Sequence, residues 1–124
     1  KGKIKFISID GIADLIENTN DIIMSAEIAQ KVLKWTDEEG VHLHTVIHKL
    51  QGVDKPTGHL GSYILKKAET VTFLSNEDEN DRNSNIIVKH KYSRGMSFDD
   101  FAFNIDEEGL PKLVESAFTK PFEL

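Results

Sequence analysis

The run Lys3-Ile4-Lys5-Phe6-Ile7-Ser8-Ile9, its exit through Asp10-Gly11 and the amphipathic segment behind it constrain this chain more than any other feature. β-Branched and aromatic residues concentrated in that run predict a strand, and Asp-Gly is a turn pair. Ile12 to Glu17 predicts a short helical turn before the polar run Asn18-Thr19-Asn20-Asp21. Asn20 or Asp21 then offers the side-chain oxygen that caps a helix. The helix carries a core stripe of Ile22, Ala26, Ala29 and Leu33, widened by Ile28, Val32 and Trp35. Gly40 stands where a helix end takes a left-handed residue. Val41 to His48 is the next strand, apolar at Val41, Leu43, Val46 and Ile47. Strand, helix, strand implies parallel pairing through a right-handed crossover.

Further along, Gln51 to Gly61 holds three glycines and a proline without apolar periodicity, which predicts a loop. Leu60 to Glu69 predicts a short helix and Thr70 to Leu74 a third strand of the same βαβ-type alternation. Asn76 to Ser84 reads as an exposed connection. Asn85 to Lys91 and Phe98 to Ile105 read as a hairpin around Ser93-Arg94-Gly95. At most a helical turn or two is expected around Lys112 to Phe118. A parallel sheet normally has both faces covered, yet only one long helix is on offer. The sheet looks unfinished, which points to oligomerisation or to a piece of a larger domain.

The 124 residues suit one domain, and 39% hydrophobic residues in short runs allow a modest core. No stretch approaches the roughly 18–20 apolar residues of a membrane span. The start resembles no signal peptide and there is no cysteine, so disulfides and thiolate metal sites are excluded and a cytoplasmic location is expected. A net charge of -6 argues against binding nucleic acid over the whole surface, though not through a local basic loop. The acidic stretches 37–39, 77–79 and 106–108 read as solvated loops or helix ends.

Four segments carry candidate chemistry. Asp10 closes the first strand, and a carboxylate at the carboxyl end of a parallel strand faces the crevice where α/β sheets bind ligands; an ordinary turn aspartate is the plainer reading. His48 closes the second strand, placed to donate to a phosphate oxygen or simply to bond backbone. Lys55 and His59 flank loop glycines, with Lys66 and Lys67 close behind, which suits contact with a phosphate backbone as well as it suits a mobile surface loop. Lys89, Lys91 and Arg94 sit on and beside the predicted hairpin tip, with Lys89 and Lys91 on one strand face and Val88 and His90 on the other. They suit charge stabilisation at a neighbouring subunit's phosphoryl group, or protection of an edge strand by lysines.

Taken in order, the segments from Phe6 to about Asp106 resemble the RecA-like ATPases of the RepA, DnaB and KaiC group, especially RepA-like proteins of plasmids and mobile elements. Phe6-Ile7-Ser8-Ile9-Asp10-Gly11 is similar to a Walker B strand, and Thr45-Val46-Ile47-His48-Lys49 to the sensor strand after it. Gly58-His59-Leu60-Gly61-Ser62 resembles the glycine-serine motif that opens the next helix, after a loop with which relatives touch DNA. Lys89-His90-Lys91-Tyr92-Ser93-Arg94-Gly95 resembles the hairpin that reaches a neighbour's nucleotide in hexameric rings. The resemblance implies ATP and Mg2+ as cofactors, with Asp10 holding the ion through water and His48 sensing the terminal phosphate. It further implies Lys89, Lys91 and Arg94 acting in trans, and single-stranded DNA against Lys55, His59, Lys66 and Lys67.

The family's phosphate-binding G-x-x-x-x-G-K-S/T and its catalytic glutamate are missing. The expectation is therefore a partial core: a truncated form, a proteolytic fragment or a degenerate gene product of a helicase-like or mobilisation ATPase. Residues 1–106 would be the C-terminal half of the core and 107–124 a tail, with parallel strands, one long crossover helix and a C-terminal antiparallel hairpin. The intact protein would form a hexameric ring and this piece a dimer or more, inactive alone and without a membrane partner. The alternative is a non-catalytic module that binds nucleic acid or protein through the 51–61 loop and the 85–105 hairpin.

Overall fold

The computed structural model describes residues 3–53 and 55–115. The chain divides into two compact units, Lys1–Ala68 and Glu69–Leu124. The first holds β1 (Phe6–Asp10), a 3-10 turn (Ile12–Leu15), α1 (Ile22–Glu39), β2 (His42–Val46) and α2 (Gly58–Lys67). The second holds β3 (Thr70–Asn76), β4 (Ile86–Ser93), β5 (Phe101–Ile105) and β6 (Pro111–Val114). The protein is mixed α/β, with a two-stranded parallel sheet in the first unit and a four-stranded antiparallel sheet in the second. Among the described residues no helix is long and apolar enough to cross a membrane.

In the first unit β1 and β2 run parallel, from Phe6 opposite His42 to Asp10 opposite Val46, with α1 as the crossover. Both ends of α1 follow from local chemistry. Asp21 Oδ1 accepts the Met24 N–H at 2.9 Å, and Gly40 adopts φ 62. The buried face differs from the expected stripe. Ser25 and Ala29 are buried and Ile28 and Val32 pack on the core, whereas Ile22, Leu33 and Trp35 are exposed. The helix sits so that Ser25 Oγ donates to the Thr19 carbonyl six residues back at 3.3 Å, with small Ser25 and Ala29 inward.

The core of this unit centres on Ile12 and Leu60, both fully buried, with Ile16 beside them and Ile9, Ile28, Val32, Ile47 and Ile64 around them. Leu60 enters because α2 starts against the backbone at Thr19, whose carbonyl also accepts the Leu60 N–H at 3.0 Å. That approach leaves no room for side chains. A Cβ on Gly58 (φ 68) would lie 2.6 Å from the Thr19 carbonyl oxygen, and one on Gly61 would lie 2.7 Å from Pro56 Cβ. The helix therefore begins two residues before the expected Leu60, at Gly58.

The second unit corrects the expected parallel continuation. β3 pairs antiparallel with β4, then β4 with β5 and β5 with β6, in the order β3-β4-β5-β6. Two local turns in the 77–84 connection send the chain back on itself: Asp78 Oδ1 accepts the Asn80 N–H and Asp81 Oδ1 the Asn83 N–H, each at 2.9 Å. The expected hairpin between β4 and β5 exists, but its ladder covers only Ile86–Val88 against Phe101–Phe103. Asp100 Oδ1 takes the His90 N–H at 2.9 Å, replacing a ladder partner and opening the connection into a wide loop.

Pro111–Val114 is a strand, not the helical turn expected from Lys112; Ser116 to Phe118 lie outside the described residues. Pro111 opens this edge strand, where its missing N–H costs no ladder bond. The division expected at 106/107 falls in the turn between β5 and β6. There Asp106 accepts the Glu108 and Leu110 N–H groups and pairs with Lys112 at 2.9 Å. The Lys112 ammonium first, and then the Leu110 N–H, hold the Asp106 carboxyl below the usual carboxylate range. Because the folded value is depressed, this contribution is present above the ordinary carboxylate pKa and fades as pH falls through the folded one.

Gly61→Ala should cost about 1–3 kcal/mol, the penalty of forcing a methyl into a filled space, and should lower hydrogen-exchange protection at the Leu60 amide. Gly40→Ala should cost about 1–2 kcal/mol through its left-handed backbone while leaving the Leu60 amide protected. Denaturant midpoints together with exchange rates check both, and equal loss of Leu60 protection in the two variants would contradict the packing described.

Candidate functional site

Parallel pairing sets the carboxyl ends of β1 and β2 side by side, so Asp10 lies opposite Val46 at one edge of the sheet. Thr45 Oγ1 donates to the Ile9 carbonyl at 3.0 Å and fixes that edge. Asp10 is exposed, and the chain leaves it through a cis peptide bond to Gly11. A Cβ on Gly11 would sit 3.2 Å from the Val46 carbonyl oxygen, so the backbones are already close. His48 follows two residues after β2, also exposed. Its structural bond is made by its backbone, whose carbonyl accepts from Thr57 N–H at 3.0 Å and Thr57 Oγ1 at 2.7 Å.

That pair of bonds closes the segment between β2 and α2. Lys49 bridges Pro56, and the Leu50 N–H donates to the Lys55 carbonyl at 2.8 Å, so the segment is a tied turn. Asp54 lies outside the described residues. Lys55 and His59 come together on an open cleft of about 310 Å³ that also takes in Asn20, Leu50, Thr57 and Ser62. Along α2, His59, Tyr63 and Lys66 fall at i, i+4 and i+7, hence on one helical face, and Lys66 Nζ lies 5.7 Å from the Tyr63 ring centre. Lys67 lies about 80° off that stripe by helical geometry.

The three remaining cations belong to the second unit. Lys89 pairs across to Phe73 in the ladder, and Lys91 Nζ lies 5.9 Å from the Phe73 ring centre. Both are exposed on β4, between buried Val88 and half-buried His90, as alternation requires. Arg94 leaves β4 with its N–H donated to the Glu69 carbonyl at 2.9 Å. The expected tight tip is replaced by the wide 94–100 loop, in which Phe98 packs edge-on against the His90 ring at 4.7 Å.

The open face of the parallel sheet was not singled out from the sequence. Phe6, Ser8 and Asp10 alternate outward on β1, as do His42, His44 and Val46 on β2. The imidazoles of His42 and His44 both stack on Phe6, at 5.7 and 6.2 Å. The signal was there as His42-x-His44 in a strand of period two. Among the described residues no group of three or more histidines or carboxylates is gathered to hold a metal. Asp10 would thus hold an ion only together with water and a ligand's own oxygens.

Because His48 acts structurally through its carbonyl, His48→Ala should change stability by less than about 0.5 kcal/mol, as for an ordinary surface substitution. Thr57→Val should lose about 1 kcal/mol with the hydroxyl bond. Thermal or denaturant unfolding decides, and the reverse ranking would contradict this division of roles. No protein-family model, curated protein or solved structure matches the chain.

Proposed function

We propose that this chain is the C-terminal part of a RecA-like ATPase core from a DNA-associated replication or mobilisation protein. The observation that carries the reading is the parallel β1–β2 register, which sets exposed Asp10 at a shared carboxyl edge, with His48 beyond the end of β2. That edge is where open α/β sheets take nucleotides. In this reading Asp10 holds Mg2+ through water, and the exposed His48 imidazole meets the terminal phosphate of ATP. Lys55, His59 and Lys66 follow a DNA backbone, with Lys67 at its margin. Lys89, Lys91 and above all Arg94 serve a neighbour's nucleotide in a ring; the planar fork of Arg94 suits phosphate better than an ammonium does.

A second reading, a non-catalytic protein-binding module, is favoured by one feature. The tied turn between β2 and α2 exposes Leu50 and Val53, aliphatic side chains that a nucleic acid does not need.

The two readings separate on nucleotide chemistry. The ATPase reading needs a phosphate-binding loop from elsewhere, so the chain alone should show no turnover. In the proposed ring, Arg94→Ala should assemble and bind ATP but hydrolyse about 10³–10⁵-fold more slowly, the scale of a trans arginine. Mixing Arg94→Ala with Asp10→Ala subunits should restore part of the activity, since some interfaces then pair an intact site with an intact arginine. No recovery in verified mixed rings, or turnover by the chain alone that disappears with Asp10→Ala, would overturn the assignment.

A further inference from the structure

We propose that His42 and His44 form a chelating pair for a late first-row divalent cation, zinc being the simplest case, on the open face of the β1–β2 sheet. The two residues alternate outward on β2, so their Cα atoms lie roughly 6.6 Å apart, twice the rise of a strand. Two imidazoles at that spacing can lean together onto one ion with bonds of about 2.0–2.1 Å.

Two observations separate this pair from any two surface histidines. His44 Nδ1 lies 2.9 Å from Ser8 Oγ on the neighbouring strand. Ligating histidines are characteristically held this way, one ring nitrogen tied to a partner and the other left for the metal. Metal binding selects the tautomer in which Nδ1–H donates to Ser8, leaving Nε2 to coordinate. Phe6 is the second observation, since both imidazole planes lie nearly parallel to its ring, at 13° and 18°. The shared stacking gathers both imidazoles beside one exposed aromatic ring, from which each turns to aim a nitrogen at a common ion.

The ligand set defines the ion. Two neutral nitrogens without thiolate suit zinc, nickel or copper and disfavour magnesium and calcium, which require oxygens. Water fills the remaining positions, in keeping with the absence of a third protein ligand among the described residues. The site does not depend on the ATPase reading, because it needs neither nucleotide nor the Asp10 ion. The plainer account is that the three rings merely shield one another from water.

Zinc chloride titrated into the purified chain, without nucleotide, separates the two accounts by calorimetry and imidazole NMR. Zinc should shift the His42 and His44 ring signals, magnesium should not, and binding should weaken in acid because the ligands must be deprotonated. His42→Ala and His44→Ala should each lower zinc affinity at least about tenfold, and Ser8→Ala by a similar factor, the usual effect of removing a ligating histidine's hydrogen-bond partner. Ser8→Thr should keep the affinity, and His59→Ala should leave it unchanged. These positions are exposed, so circular dichroism should show each variant folded. No binding at millimolar zinc, or unchanged affinity in His42→Ala, His44→Ala or Ser8→Ala, overturns the site.

Discussion

The Thr19 carbonyl is the constraint on which the first unit depends. It accepts the Leu60 N–H from the first turn of α2 and the Ser25 hydroxyl from α1. One oxygen thus ties both helices to the segment that precedes α1, and its two donors satisfy both lone pairs. The approach works only because Gly58 and Gly61 present no side chains. Leu60 can then meet Ile12 in the core, and the turn from Lys49 to Pro56 is carried to the carboxyl end of β2. His59 and the start of α2 take their place from that clamp, whereas Asp10 is placed by the β1–β2 register.

The other face of the sheet is governed by what is missing from it. Ile7, Ile9, Leu43 and Thr45 alternate inward, while Phe6, Ser8, His42, His44 and Val46 face out. A parallel sheet with one face open is unusual, and this open face is half polar, with its own hydrogen bond and ring stacking. The second unit answers the same need differently. Among its described residues only Phe73, Val88 and Ala102 are buried apolar groups, with Phe73 and Ala102 on one face of the sheet and Val88 on the other.

Much of the first unit was legible because its signals are local. Strand composition gave β1 and β2, the Asp21 cap and the left-handed Gly40 marked the ends of α1, and Asp10 was readable as a strand-end carboxylate. The buried arc of α1 was misread because it depends on Ser25 reaching a carbonyl six residues back, a tertiary fact. β3 was misassigned as a parallel strand because its partner β4 lies beyond the 77–84 connection, and the antiparallel register that sets Leu74 against Val88 and Phe73 against Lys89 is a tertiary fact. The Asp78 and Asp81 turns that reverse the chain looked like a polar linker. The candidate site divides the same way, since strand-end residues were visible but Ser8, His42, His44 and Thr57 acquire meaning only through partners on other elements.

We propose that a metal-bound nucleotide sits at the carboxyl edge marked by Asp10. Paramagnetic broadening by Mn2+-ATP, standing in for Mg2+-ATP, tests it most directly in the amide spectrum of the chain. The account predicts broadening centred on Asp10, Gly11 and His48 that requires nucleotide and disappears in Asp10→Asn. Broadening centred instead on the acidic stretches 37–39, 77–79 or 106–108, and unchanged by Asp10→Asn, would contradict it.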